Sequence, residues 1–489
     1  MKQFFRMLAG SKWGNRALAV WLTGATVVGL PAQTFKNLHS FCALAGCADG
    51  SNSIAAPIQG LDGNLYGTTV FGGAAGYGTV FKITPGGKLT TLYNFCSQTN
   101  CTDGAYPYAG LLLATNGAFY GTTYQGGAAG NGTIFKITAA GVLTTLYSLC
   151  TQTTCADGKN PYASLVQGQN GLLYGTTSGA GGYNAGTVFQ ISPAGAFKTL
   201  YSFCAQTGCT DGANPYAGLV AASNGALYGT TYYGGASDVG TVFQITTAGK
   251  LTPLHSFNTS DGAGPRSELV QGTDGKLYGT TSGGGANSGG TFFQITTSGT
   301  LNSLYSFCAQ SSCTDGANPN AGVIQATNGY FYGTTQFGGA TNYGTTFKIS
   351  SAGVLTTLYP FCSVSACGDG ESPFGSLVQS TNGSFYGTAT YGGNLSCSGG
   401  CGTAFTISDG LGAFVEALPA GAKVGTSIKI LGSNLTGATS VTFNGVAAAF
   451  TVLSKFQIKA TVPTGATTGT IVVVTPTATL MSNVPFTVR

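Results

Sequence analysis

The sequence predicts an all-β protein, a seven-bladed β-propeller of four-stranded blades followed by a smaller β-sandwich. Three observations predict it. One tetrapeptide recurs seven times at a nearly constant period. Each period holds four strand-like runs divided by turn signals. The composition suits strands and turns: 80 of 489 residues are Gly, charged residues make up 7%, and aromatic residues reach 11%. Gly and Thr are poor helix formers and Thr is favoured in strands. Disordered Gly-rich chains lack so many aromatic residues.

Taken in order, the chain opens with Lys2, Arg6, Lys12 and Arg16, then an apolar run at residues 17–30, then small residues including Ala32. This is the pattern of a secretory signal peptide, assigned to residues 1–33. A membrane anchor is the competing reading. The run is short for a span, however, and is interrupted by Thr23, Gly24 and Thr26. No second apolar stretch of spanning length follows. The mature chain is therefore expected to have no transmembrane span and to be secreted, on the cell surface or periplasmic. Loss of the leader leaves 15 of the 19 basic residues against 14 acids, with no basic run. A nucleic-acid partner is not expected.

Residues 34–409 carry the repeat. Tyr-Gly-Thr-Thr begins at Tyr66, Tyr120, Tyr174, Tyr228, Tyr278 and Tyr332, and a Tyr-Gly-Thr-Ala variant begins at Tyr386. The spacings are 54, 54, 54, 50, 54 and 54 residues. Around Tyr120 the strands are read at residues 89–95, from 111 to 113, at 119–123 and at 132–137. The dipeptide Asn116-Gly117 is expected to form a tight hairpin turn with positive φ at both positions. It recurs as Asp62-Gly63, Asn170-Gly171, Asn224-Gly225, Asp274-Gly275, Asn328-Gly329 and Asn382-Gly383. An open solenoid is the alternative to a ring. The chain starts within a unit, at residues 35–41, and the last unit lacks its own copy of that strand. The N-terminal strand is therefore expected to complete the last blade and remove the open edges.

The 14 cysteines fall in local pairs. Six pairs have four residues between them: Cys42 and Cys47, Cys96 and Cys101, Cys150 and Cys155, Cys204 and Cys209, Cys308 and Cys313, Cys362 and Cys367. The short repeat, at Ser256 to Asp261, lacks four residues and both cysteines. The last repeat gains four residues together with Cys397 and Cys401. Cysteines gained and lost in pairs in an exported chain point to disulfides. They are expected to staple loops within blades. Metal binding competes with this, but no third ligand is expected near any pair.

The repeat resembles the GloVer tandem-repeat family of bacterial extracellular proteins. The resemblance is carried, for instance, by GTVFQITTAGKLTPLHSF, then DG, then ELVQGTDGKLYGTTSGGG from Gly240 onward. It implies export and a propeller-like repeat, and it brings no catalytic residues. Relatives often end in a sorting anchor. Phe486-Thr487-Val488-Arg489 has no apolar tail, so attachment by that route is not expected. Residues 412–489 resemble the TIG (IPT) immunoglobulin-like domain through Gly432, Leu435, Val441, Phe443 and Gly445. Strand-like runs at 471–474 and 484–488 fit a β-sandwich. Such a domain implies a spacer or binding module.

The titratable groups can be surveyed exhaustively. His39 and His255 stand in Leu-His-Ser-Phe, where other copies have Leu-Tyr-Ser-Phe, and are read as replacing a structural Tyr. Seven acids, Asp49, Asp103, Asp157, Asp211, Asp261, Asp315 and Asp369, occupy one repeated position before Gly. A turn Asp that accepts local backbone hydrogen bonds accounts for them. Their alternative role is a calcium-binding ring. Calcium loops place several acids close in sequence, and none does so here, so no metal and no cofactor is expected. Asp238, Glu268, Glu371, Asp409 and Glu416 break the pattern. A glycosidase needs two neighbouring carboxyl groups, and Glu268 and Glu371 sit two blades apart. No catalytic residue is assigned.

Binding is the favoured function. Two positions vary while their surroundings repeat. One lies five residues past each repeated Asp: Ile54, Tyr108, Tyr162, Tyr216, Arg266, Asn320 and Phe374. The other lies two residues past each tetrapeptide: Phe71, Gln125, Gly179, Tyr233, Gly283, Phe337 and Tyr391. Their aromatic members, together with Arg266, are read as ligand-binding residues, the rings able to stack on sugar rings. Packing between adjacent blades is the competing account of both sets. The expected protein is a non-enzymatic binding or scaffolding module for extracellular polysaccharide, cell-envelope material or a cell-surface protein. An exported carbohydrate-active hydrolase or lyase is the alternative.

Overall fold

The computed structural model describes residues 33–489. The leader expected at residues 1–33 lies outside them, apart from Gln33. No helix among the described residues is long and apolar enough to cross a membrane.

Six antiparallel sheets each consist of four consecutive strands. The first runs Ile58–Gln59, Leu65–Thr69, Thr79–Ile83 and Leu89–Asn94. In the seventh, the strands Val378–Gln379, Phe385–Ala389 and Gly400–Ser408 are joined by Thr34–Ser40. That N-terminal strand pairs from Thr34↔Ser408 to Ser40↔Thr403. The fold is all-β and propeller-like.

The tetrapeptide is explained residue by residue. Its Tyr is buried at every copy, and its hydroxyl meets the Asx of the preceding turn: Tyr66 donates to Asp62 at 2.9 Å, and Asn116 donates to Tyr120 at 2.7 Å. The Gly lets the next strand's Phe lie across the backbone. A Cβ at Gly67 would stand 2.5 Å from Phe81 Cζ. The first Thr donates to a backbone carbonyl of the neighbouring unit. Six such bonds run from Thr68, Thr122, Thr176, Thr230, Thr280 and Thr334 at 2.8–3.4 Å, and a seventh runs from Thr388 to Ala55 at 3.2 Å. The second Thr pairs with the Thr that opens the next strand, at 2.8 Å for Thr69 and Thr79. In the variant copy Ala389 faces Thr403, so that hydroxyl pair is missing.

The core lies between sheets. Phe95, at the end of the first sheet, meets Phe135 of the second edge-on at 5.3 Å. Phe41, after the N-terminal strand, meets Phe81 of the first sheet at the same 5.3 Å. Both phenylalanines are fully buried. The N-terminal strand thus packs against the first sheet as the outer strand of the first sheet packs against the second.

Three expectations need correction. The Asx-Gly turns do not have positive φ at both positions. Gly63 has φ 77° and Asp62 does not. The Asp62 carboxylate is engaged by the Asn64 N–H and the Tyr66 hydroxyl, and the left-handed position falls on Gly alone. Only the loop of Cys397 and Cys401, at the start of Gly400–Ser408, lies within a blade; the other six of the seven cysteine loops do not. Cys96 and Cys101, for example, sit in the crossover from the outer strand Leu89–Asn94 to the inner strand Leu112–Leu113 of the next sheet. Finally, third and fourth sulfurs do lie near some pairs. Pairing of the two chain ends brings Cys42, Cys47, Cys397 and Cys401 within 4.8 Å of one another, and Cys362, Cys367 and Glu371 form a second such group.

All the cysteines are nevertheless paired locally, Cys42 with Cys47 and Cys397 with Cys401 included. Paired sulfurs leave no thiolate for a metal. Non-reducing peptide mapping is expected to recover seven local disulfides. A Cys42–Cys401 link across the seam, or any free thiol, would contradict this.

The C-terminal domain packs two four-stranded sheets around Ile430, Leu435, Val441, Phe443, Ile458 and Ile471. It rests on the hairpin turns of the first, second and last sheets. Lys429 Nζ donates to the Thr115 carbonyl at 2.8 Å, and Ser433 shares a 3.0 Å hydrogen bond with Thr381. Leu431 is buried with Leu113. In antiparallel four-stranded units these turns lie at the opposite end from the crossover loops. The domain therefore leaves the crossover end uncovered.

A central cavity as candidate ligand site

The seven segments that follow the crossover loops converge on one cavity of about 440 Å³. This lies within the usual range of small-molecule sites, roughly 300–1,000 Å³. Ile54, Tyr108, Tyr162, Tyr216, Arg266, Asn320 and Phe374 all line it. The first variable position is thus a single surface.

That surface is lopsided. Tyr108 stacks on Tyr162 at 5.0 Å, and Tyr162 meets Tyr216 edge-on at 5.6 Å. Tyr124 and Tyr232 extend the arc from Tyr108 and Tyr216 at 5.2 and 5.5 Å. Arg266 ends it, with its guanidinium carbon 4.6 Å from the Tyr232 ring centre and 5.4 Å from that of Tyr216. Burial pushes the Tyr162 hydroxyl up to about 12, against the pull of the Arg266 charge. On the other side stand Asn320, Phe374 and Ile54, with Asn320 donating to Gln336.

The second variable position lies elsewhere. Phe71, Tyr233, Phe337 and Tyr391 are 37–45% exposed on the loops after the second strands. They form a rim at the crossover end and do not line the cavity. Phe71 packs in part on Tyr106 of the following crossover, edge-on at 5.6 Å, and Tyr233 on Tyr232 at 4.5 Å.

The structure adds Glu268, which the sequence reading passed over. Residues two apart in an extended segment face the same way, about 7 Å apart. Glu268 therefore shares the cavity with Arg266 but lies deeper. The equivalent residues in the other units are Ala56, Gly110, Ser164, Gly218, Gly322 and Ser376, all small and all lining the cavity. A Cβ at Gly218 would collide with the Glu268 carboxyl. The signal was legible: seven residues past the repeated Asp, one acid stands where six tiny residues stand. Counting only to the fifth residue missed it. Tyr124 and Tyr232 were missed for the same reason, since they directly follow the tetrapeptide.

Glu268 is exposed at the open cavity, yet the segments around it crowd its carboxyl and displace bulk water. That loss of bulk water pushes its carboxyl from 4.5 up to about 7, while a hydrogen bond with Ser164 pulls it down. The folded chain thus holds this proton at pH values where the unfolded chain has released it. Unfolding free energy should fall as pH rises between those two values and level off above. Glu268→Gln is expected to reduce this slope, the remainder coming from the burial-raised carboxyls of Glu371 and Glu416, so that the variant matches its parent at pH 4 and exceeds it in stability at pH 8. Urea melts at both pH values test this, and an unchanged slope in the variant would refute it.

Among the described residues, Arg266 and Glu268 are the only charged side chains lining the cavity. Glu371 does not line it. The seven repeated Asp carboxylates do not gather either. Asp315 accepts from the Ala309 and Gln310 N–H groups and from the Tyr305 hydroxyl, within its own crossover loop. His39 and His255 make that hydroxyl's contact, to Asp49 at 2.8 Å and to Asp261 at 2.9 Å. Both histidines substitute for a structural Tyr.

A model described as the Gloeobacter/Verrucomicrobia repeat matches residues 23–210, 205–314 and 309–448, and an IPT/TIG domain model matches residues 416–488. No curated protein matches the chain. Among solved structures, a virginiamycin B lyase from Staphylococcus aureus is similar at a TM-score of 0.50 and 15% identity, over 77% of this chain and 99% of that one. A putative 6-phosphogluconolactonase from Bacteroides uniformis aligns at 0.44 and 15%, over 67% and 88%. A periplasmic gluconolactonase from Pseudomonas aeruginosa aligns at 0.40 and 16%, over 70% and 99%. At 15% identity the lyase speaks to fold alone, that of a β-propeller protein.

Proposed function

The chain belongs to the Gloeobacter/Verrucomicrobia repeat family, and we propose that it is an exported, non-enzymatic binding module whose seven sheets form a closed propeller ring with a saccharide site in the central cavity. Its targets are polysaccharide or cell-envelope material. The pairing of Thr34–Ser40 with Gly400–Ser408 and the Thr388–Ala55 hydrogen bond support closure. Disulfides and the absence of a spanning helix among the described residues accord with export.

One observation carries the binding reading. The position that varies among otherwise repeated units lines a single cavity, and its aromatic members are contiguous there. Tyr faces stack on the C–H faces of sugars, and their hydroxyls bond to sugar hydroxyls. Glycan-array screening of the mature protein, followed by calorimetry on any hit, tests it. Tyr162→Ala and Tyr216→Ala are each expected to weaken binding at least tenfold, whereas Phe337→Ala on the rim leaves it unchanged. No glycan bound, or equal losses at cavity and rim, would refute the reading.

An enzyme is the second reading, and Glu268 is what favours it, since a carboxyl near 7 can give or take a proton at neutral pH. Glycoside hydrolysis ordinarily uses two carboxyl groups roughly 5–10 Å apart, and Glu268 lines this cavity without a second acid. New reducing ends released from a bound glycan, and lost in Glu268→Gln, would establish the enzyme over the binding module.

A further inference from the structure

We propose that the cavity selects a saccharide bearing a carboxylate, with that carboxylate held by Arg266 and its sugar ring lying on Tyr216 and Tyr162. The proposal rests on the saccharide reading of the cavity.

Arg266 ends a run of three tyrosines. The equivalent residues in the three preceding units are Tyr108, Tyr162 and Tyr216. Its guanidinium is fixed by two rings, Tyr232 at 4.6 Å and Tyr216 at 5.4 Å. Aromatic faces hold a guanidinium plane and leave its in-plane donors free. Arg266 takes part in none of the ion pairs among the described residues. Its Nε–H is buried with no hydrogen-bond partner. A buried donor without an acceptor costs free energy, and a ligand oxygen removes that cost.

The partner chemistry follows from the fork. A guanidinium offers two parallel N–H groups, and a carboxylate has two oxygens at the matching separation. Charge balance favours a single, singly charged group at the fork. Arg266 is the only cation lining the cavity, and Glu268, the other ionisable acid or base there besides Tyr108, Tyr162 and Tyr216, offers no second positive charge. A dianionic phosphate ester would leave one charge uncompensated in a walled site. The raised pKa of Glu268 fits the same picture: below neutrality its carboxyl is largely uncharged and does not repel an anion. A uronic-acid residue combines the apolar ring face, the hydroxyls and the single carboxylate that this lining requires.

Calorimetric titration of the mature protein at pH 6 with trigalacturonic acid, neutral galactotriose and a sulfated galactotriose tests the proposal. Trigalacturonic acid is expected to bind at least tenfold tighter than the other two. Arg266→Leu should erase that preference, bringing trigalacturonic acid down to the affinity the same variant has for galactotriose. Arg266→Lys keeps the charge but not the fork. It serves as the second variant should Arg266→Leu misfold, and it is expected to lose at least fivefold for trigalacturonic acid alone. Equal binding of the acid and neutral sugars, tighter binding of the sulfated sugar, or equal losses for both sugars in either variant would overturn the proposal and leave the saccharide reading standing. Binding of none of the three, when a glycan array also finds nothing, would remove both.

Discussion

Phe41→Ala is expected to destabilise the protein by about 3–5 kcal/mol, the usual cost of removing a fully buried aromatic ring. Phe41 is 0% exposed and packs on Phe81 at 5.3 Å. It follows the strand that joins the first described residues to the last sheet. The lost ring leaves a cavity beside the N-terminal strand, which only pairing and packing hold in the last sheet. Phe95→Ala removes the equivalent ring after an outer strand that a hairpin joins to its own sheet. The seam variant should therefore also unfold faster, since its strand can detach as a unit and expose an unpaired edge. Urea melts give the equilibrium loss, and hydrogen exchange across Gly400–Ser408 gives the local one. A loss below about 1 kcal/mol would mean that the seam is not packed as described.

Asp315→Ala should cost about 3 kcal/mol or more, because it strands several groups at once. The carboxylate is fully buried and accepts from Tyr305 at 2.7 Å, from the Ala309 N–H at 2.9 Å and from the Gln310 N–H at 3.1 Å. Each unpaired buried donor costs roughly 1–3 kcal/mol. Asp261 provides the internal control. Its loop has lost the cysteine pair and its side chain is 20% exposed, so water can replace part of what Asp261→Ala removes. Thermal melts should rank Asp315→Ala well below Asp261→Ala, and the reverse order would contradict this role. Tyr305→His should be tolerated, since His39 and His255 already fill that place in two other copies.

Much of this fold was legible because repetition multiplies weak signals. One Asn-Gly or Asp-Gly dipeptide suggests a turn; seven at the same offset from a Tyr locate two strands in every unit. The detailed turn geometry was not legible, because it depends on the Tyr hydroxyl that claims the Asx side chain from across the hairpin. The four-cysteine group at the seam was equally hidden. Its members are about 350 residues apart in sequence and meet only because the chain ends pair.

The candidate site shows a similar division. Variation against a repeated background picked out the positions from Ile54 to Phe374 that line the cavity. It also picked out the rim set from Phe71 to Tyr391, which varies just as much and lies on exposed loops. Sequence alone does not separate a residue facing a shared cavity from one facing solvent, because that depends on which end of a short inner strand points to the centre. Glu268 was discounted as one of several stray acids. Its meaning lies in the six small residues that surround it in the ring, and that comparison needs the register of the inner segments.

The central claim is that function resides where the seven units differ around the cavity. Hydroxyl-radical footprinting of the mature protein, with and without a bound saccharide, tests it most directly. Protection concentrated at Tyr108, Tyr162 and Tyr216, with Phe71, Tyr233, Phe337 and Tyr391 unchanged, is the predicted result. Protection confined to the rim residues, with the cavity tyrosines still reactive, would contradict it.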